Sequence, residues 1–248
     1  PRDRELSRAD NLKHGQKVCL VSDGGDTDGI GYYGWVIAND THILYNGSGL
    51  SPGNQELNES LRSESTGYLA ILRFLLHYKA YHQITLETSP MIHLCDNTSL
   101  VSRSPDDFLK PDYDVQMQII ATIKELDIDI YTKHVKGHQD DDKTYDQLSY
   151  EAQLNIQADR LATKAWQTYF CAHPHVHYPA SRCTLYNNNA AVNRAYRSYM
   201  RRAYSSHDAR EYLMDKYKWD VETCEGIDWY SHGTALKSLP HNQQRFVH

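Results

Sequence analysis

Nowhere in these 248 residues does an apolar run approach the ~18 needed to span a bilayer, and no charged-then-apolar leader is visible. A membrane partner is therefore not expected, and the chain reads as cytoplasmic or nuclear rather than secreted. A disulfide framework is also missing. The five cysteines, Cys19, Cys95, Cys171, Cys183 and Cys224, are odd in number and widely scattered, so they read as reduced thiols. In that setting the Asn-x-Ser/Thr triplets at Asn39, Asn46, Asn58 and Asn97 are chance matches. Internal repeats and low-complexity runs are absent, which excludes a solenoid. An excess of positive charge is absent too: the net charge is −6. Its distribution is uneven, with 16 Lys/Arg against 25 Asp/Glu in residues 1–177 and 10 against 7 in residues 178–248. An acidic front suits a carboxylate metal site, where bound cations reverse the local field.

What is present is a chain with 40% hydrophobic residues, enough for a core. It opens on Pro1 and stops at His248 without a capping signal, which reads as a piece of a longer polypeptide. Residues 1–14 are polar without a usable period, a tail. From Lys17 the text Lys-Val-Cys-Leu-Val-Ser-Asp is β-rich and ends in Gly24-Gly25, a strand followed by a turn. Residues 31–38 (GYYGWVIA) give a second strand, Asn39-Asp40 a hairpin turn, and residues 42–49 a third strand. Trp35, Tyr32 and Tyr33 read as hairpin packing. The period then changes. Tyr68, Ile71, Leu72 and Leu75 recur at helical spacing within residues 63–78. Residues 91–95 form a short apolar strand, and Pro111 with Asp112 and Asp114 introduces a helix through Ile123. Residues 128–131 return to strand, a polar loop covers 136–147, and a last helix runs over about 155–170 with Asn155 as its cap. The order β-β-β-α-β-α-β-α predicts an α/β layer fold: a five-stranded mixed sheet flanked by helices over residues 15–170.

Four acids fall where strands end or helices begin: Asp23, Glu64, Asp96 and Asp159. Period-2 alternation puts Asp23 on the face of Cys19 and Val21, and Asp96 with Ile92 and Leu94. Each acid thus closes an otherwise apolar strand, where a bare carboxylate costs several kcal/mol unless a cation accompanies it. Glu64 lies one helical turn before Tyr68, on the buried face of its helix. Acids converging from two strands and two helices make a hard-oxygen site suited to Mg²⁺ or Mn²⁺, whereas zinc favours Cys and His. Two such ions ~4 Å apart activate a water and stabilise the departing oxygen in phosphodiester cleavage. His138, on the polar loop, is placed to shuttle protons. Taken singly, each acid is an ordinary cap or turn residue and His138 an ordinary loop histidine; the order and placement together carry the reading.

The motifs Ser22-Asp23-Gly24-Gly25, Glu64 at the head of an apolar helix, Asp96-Asn97 after an apolar strand, Val135-Lys136-Gly137-His138 and residues 155–162 (NIQADRLA) resemble type 1 ribonuclease H. The resemblance is to the kind attached to retroelement reverse transcriptases and spans about residues 16–170. It implies an RNase H-like fold and an endonuclease that hydrolyses the RNA strand of RNA–DNA hybrids with two Mg²⁺ ions, Mn²⁺ substituting. No small-molecule cofactor is implied. It further implies Asp23 between both ions, Asp159 on the water side, and Glu64 with Asp96 on the leaving-group side. Glu64 would also touch the ribose 2′-hydroxyl. The implied context is a retroelement polyprotein with further domains as partners. Ser60, Arg62 and Asn97 stand where hybrid contacts are expected, although residues 60–63 lack the amide side chains many relatives place in the minor groove. Only Arg103, Lys110 and Lys124 are basic in residues 97–126, so a basic hybrid-gripping protrusion is not expected. The interval from His138 to Asp159 is long and includes Asp140-Asp141-Asp142, read as a solvated loop.

Other readings stand beside this one. An integrase-like nuclease carries its acids as Asp, Asp, Glu, unlike the order here. A non-catalytic nucleic-acid-binding or assembly module keeping the fold commonly lacks one or more acids. Residues 171–180 read as a linker, and residues 171–248 as linker plus a helical basic extension. Cys171, His173, His175, His177 and Cys183 are ligand types without CxxC or HxxxH spacing, so a solvated linker is expected over a zinc site. Arg194, Arg197, Arg201 and Arg202 fall on one side of a helix read over 189–204. With Tyr196, Tyr199 and Tyr204 interleaved, that stripe either grips nucleic acid or packs through its tyrosines.

Overall fold

The structure, a computed structural model, describes residues 17–53, 57–86, 91–103, 110–141, 143–168, 176–181, 184–187, 190–228, 231 and 235. The N-terminal tail, residues 171–175, Cys183 and Trp229 lie outside the described residues. The chain divides into two compact units, residues 1–196 and 197–248.

The first unit is built on strands β1 (Val18–Thr27), β2 (Ile30–Ala38), β3 (Ile43–Ser51), β4 (Met91–Cys95) and β5 (Ile130–His134). They form one mixed sheet in the order β3-β2-β1-β4-β5. The first three are an antiparallel meander, while β4 runs parallel to β1 and β5 parallel to β4. Gly24-Gly25 is not the first turn. β1 continues through both glycines to Thr27, and the turn is Asp28-Gly29, where both residues have positive φ (53° and 76°). An Asp-Gly pair in that conformation matches the twist of the flanking strands. Gly24 answers a different need: a Cβ there would stand 2.6 Å from the backbone nitrogen of Glu64.

Alternation along β1 sorts two core layers. Val18 and Leu20 face helix α1 (Ser60–His82) and pack with Trp35, Ile37, Leu69, Leu72 and Leu75. Between β4 and β5 the chain forms a short helix α2 (Thr98–Val101) and helix α3 (Tyr113–Leu126), whose Val115 and Ile119 join this layer. Cys19 and Val21 face helix α4 (Tyr150–Thr168), whose Leu154 and Ala158 pack with Val36 and Leu94. The helix begins at Tyr150, five residues before the sequence-based start. Ser149 caps it by accepting from the Ala152 N–H at 3.3 Å. Asn155 is therefore not a cap: it lies inside the helix, buried, and its Oδ1 meets no donor.

The first unit runs on past α4. Tyr178 is buried in the α1–α3 core layer, a 3-10 turn spans Pro179–Ser181, and β6 (Leu185–Asn187) pairs antiparallel with β7 (Ala190–Val192). This ribbon stands where the sequence reads as helical. The second unit holds helix α5 (Tyr196–Tyr217) from Arg197 onward and helix α6 (Val221–Gly226). Asp220 caps α6 by accepting from the Thr223 N–H at 2.7 Å, and an Arg210–Glu225 ion pair at 2.9 Å joins the two helices. No described helix is long and apolar enough to cross a membrane. Among the described residues Cys19, Cys95 and Cys224 are buried.

Candidate active site

Parallel pairing of β1 with β4 ends at Val21–Leu94. Just beyond that pair come Asp23, midway along β1 where its pairing with β4 stops, and Asp96, the residue after β4. In open α/β sheets this is where ligands bind, outside the strand ends where connections diverge. The β1 face that packs Cys19 and Val21 under α4 is, by alternation, the face of Asp23. Helix α1 brings its head against Gly24 and delivers Glu64 to the same end; α4 delivers Asp159.

Their mutual influence is visible in their acidities. Burial pushes the Asp23 carboxyl up to about 8, and the charges of Asp96, Glu64 and Asp159 push the same way, against the hydrogen bond its Oδ1 accepts from the Gly24 N–H at 2.7 Å. Burial likewise pushes Glu64 up to about 7 although Asn97, Cys95 and Ser60 all donate to it. Asn97 Nδ2 and Ser60 Oγ donate to Oε1 at 3.0 and 2.9 Å, and Cys95 Sγ donates to Oε2 at 3.1 Å. Donor atoms of Glu64, Cys95 and Asp96 all lie within 4.8 Å of one another. Asp159 is also raised by burial; His138 lowers it, while Asp140 and Asp96 raise it. His138 itself is exposed, at a left-handed φ of 48°. Gly137 beside it admits the Asp96 carboxylate, which a side chain there would displace.

The donor chemistry fits a hard divalent cation. Buried carboxylates at Asp23 and Glu64 that are raised further by neighbouring acids form an environment that a cation would relieve. Glu64 and Asp96 are brought within ligand reach of one another; Asp23 feels the charges of Asp96, Glu64 and Asp159, and Asp159 feels that of His138.

The expected nucleic-acid contacts divide. Ser60 and Asn97 are at the site and occupied by Glu64, and Asn97 also caps α2 through bonds from the Ser99 and Leu100 N–H groups. Arg62 must be withdrawn from that set. It is fully buried, its Nη1 and Nη2 bonded to Asp114 at 2.9 Å each, Nη1 also to Asp112 at 3.1 Å, and Nε to the Pro52 carbonyl. Arg194 is withdrawn for the same reason: it is buried, paired with Glu59 and with Asp112, and lies before α5. The helix cannot extend back to it, because Ala195 sits at φ 50° after the β7 strand. Arg197 and Arg201 are exposed on α5, and the side chain of Arg202 lies outside the described residues. Of the ligand-rich text, His177 is exposed with its Nδ1 2.9 Å from Thr184 Oγ1; Cys171, His173, His175 and Cys183 lie outside.

Two features of the site escaped the sequence reading. Cys95 reads as a strand residue, yet its thiol reaches Glu64; the period-2 face it shares with His93, opposite Asp96, was the available signal. Arg62 lies seven residues before Leu69, two helical turns along one stripe, which marked it as buried.

No protein-family model matches the sequence, nor does any curated protein. Solved structures do resemble the chain. The N-terminal RNase H domain of a Mycobacterium tuberculosis protein, as a fusion with maltose-binding protein, aligns at 19% identity and TM-score 0.42, covering 62% of this chain and 95% of that one. LC11-RNase H1 in complex with an RNA/DNA hybrid aligns at 15% identity and TM-score 0.43, covering 61% and 98%. Prototype foamy virus protease–reverse transcriptase aligns at 18% identity and TM-score 0.42, covering 64% of this chain and 22% of that one.

Proposed function

We propose that this chain is a ribonuclease H, hydrolysing the RNA strand of RNA–DNA hybrids with two divalent cations, Mg²⁺ or Mn²⁺, and that it derives from a retroelement-type polyprotein. The observation that supports this reading most is the elevation of Asp23 by burial and by Asp96, Glu64 and Asp159, just beyond the last pairing of the parallel strands β1 and β4. Asp23, Glu64, Asp96 and Asp159 would hold the cations. When bound, they supply Lewis acidity, activating a water and stabilising the departing oxygen. The chain's own residues do the rest. Ser60, Cys95 and Asn97 orient the Glu64 carboxylate. His138, exposed and electrostatically coupled to Asp159, moves a proton to or from solvent at its imidazole.

Asp23→Asn tests the assignment. It removes ligand charge at the centre of the cluster and is expected to cost at least ~10³-fold in cleavage rate with the circular dichroism spectrum unchanged. Near-normal activity in that variant removes the metal-dependent reading.

A further inference from the structure

Glu64 Oε1 is held by two donors, Ser60 and Asn97, both from the polar rim of the site. Among the described bonds, Oε2 receives its hydrogen from Cys95 Sγ at 3.1 Å. Cys95 is fully buried, Glu64 nearly so at 3% exposure, and both share one neighbourhood with Asp96. The thiol's own environment fixes its direction. The Asn97 N–H donates to Sγ at 3.3 Å, and of the two acceptors within reach of the S–H, Glu64 Oε2 at 3.1 Å is nearer than the Asn97 carbonyl at 3.9 Å. Cys95 closes β4 and pairs with His134 of β5, so its Cα is fixed by the sheet.

We infer that Cys95 is a positioning residue, its S–H group holding the Glu64 carboxylate beside Asp96 in the orientation that receives a cation. The inference rests on the metal-site reading above. Without the thiol proton, an apolar wall would face a buried carboxylate oxygen, and that oxygen would turn toward another donor. Groups that hydrogen-bond a metal ligand typically account for about 10- to 100-fold in metal affinity.

Infrared spectroscopy and Mg²⁺ titration calorimetry on the full chain test this together. The S–H stretch absorbs in a window free of other protein bands and falls in frequency when the thiol donates. A difference spectrum between the wild type and Cys95→Ser isolates this thiol from the other cysteines. Its band is expected at lowered frequency and is expected to move in Glu64→Gln. Cys95→Ser keeps a donor and is expected to bind Mg²⁺ within about 3-fold of wild type. Cys95→Val keeps apolar volume without a donor and is expected to bind about 10-fold more weakly. Thermal melting establishes that each variant is folded, and Cys95→Ala replaces Cys95→Val if the larger side chain disrupts packing. A band indifferent to Glu64→Gln, or wild-type Mg²⁺ affinity without the donor, overturns the inference. Hybrid cleavage is scored separately. A wild type that binds Mg²⁺ yet leaves hybrids intact removes the hydrolytic reading and leaves Cys95 to be judged by the binding and infrared data. With no Mg²⁺ bound by the wild type, the metal reading fails and the infrared band alone decides whether the thiol holds Glu64.

Discussion

Gly137 lies against the carboxylate of Asp96 so closely that a Cβ on Gly137 would overlap Oδ2. The loop after β5 therefore presses bare backbone onto the acid that follows β4. Gly137→Ala must move either the loop or the carboxylate. A shift of about 1 Å in a catalytic group costs on the order of 10²-fold, so a 10- to 100-fold loss of Mg²⁺-dependent turnover is expected. Thermal melting should change little, because Gly137 is only partly buried and lies outside the core layers. Unchanged kinetics would show that Asp96 needs no such clearance.

The metal-free protein should lose stability as pH rises. Asp23 is held up to about 8 against an ordinary 3.8, and Glu64 up to about 7 against 4.5. The folded chain thus binds these protons more tightly than the unfolded chain, so their destabilising effect is absent below pH ~4. It grows through the interval and is complete above pH ~8. Asp23→Asn should flatten much of that fall, and Mg²⁺ should reverse it near pH 8 by binding only the folded state. Melting curves in chelator between pH 4 and 9 check this. A wild-type profile matching that of Asp23→Asn would contradict the clustering of the acids.

His138 is expected to influence turnover rather than metal binding. His138→Ala should lower the rate by about 10- to 100-fold with Mg²⁺ affinity retained. The position has a left-handed backbone, which Asn tolerates, so His138→Asn separates the imidazole from the loop conformation. Equal rates for all three proteins across pH 6–9 would reduce His138 to a loop residue.

The ion cluster under the head of α1 should govern stability. Arg62 neutralises Asp112 and Asp114 in the interior, and Asp112 is pushed up to about 6 by its burial even so. Arg62→Met leaves both acids without their buried cation and is expected to cost about 3–5 kcal/mol. Denaturant unfolding measures it; a loss below about 1 kcal/mol would mean that Arg194 and Asn193 suffice for Asp112.

Much of this was legible because it depends on short-range periodicity. The alternation Val18, Cys19, Leu20, Val21 marks a strand buried on both faces, and the spacing of Tyr68, Leu72 and Leu75 marks the helix over it. Of the four acids, Glu64 does head its helix and Asp96 does follow its strand, but Asp23 lies within β1 and Asp159 in the middle of α4, where the sequence places a strand end and a helix start. Long-range pairing was not legible. Residues 171–180 read as a linker because no period runs through them, yet Tyr178 is buried against α1 and α3. Arg194 reads as one stripe of a basic helix, yet it pairs with Asp112, a residue 82 positions earlier. Asp112 and Asp114 read as ordinary helix-start acids, and nothing local shows that two arginines converge on Asp112. A salt bridge between distant segments leaves no periodic trace.

The most direct test offers end-labelled RNA–DNA hybrid, RNA duplex and DNA duplex of one sequence to the full chain, each with Mg²⁺ and with chelator. Cleavage confined to the RNA strand of the hybrid, in Mg²⁺ alone and lost in Asp23→Asn, is the expected result. An intact hybrid strand in Mg²⁺ and in Mn²⁺, with the chain shown to be folded, would contradict the proposed function.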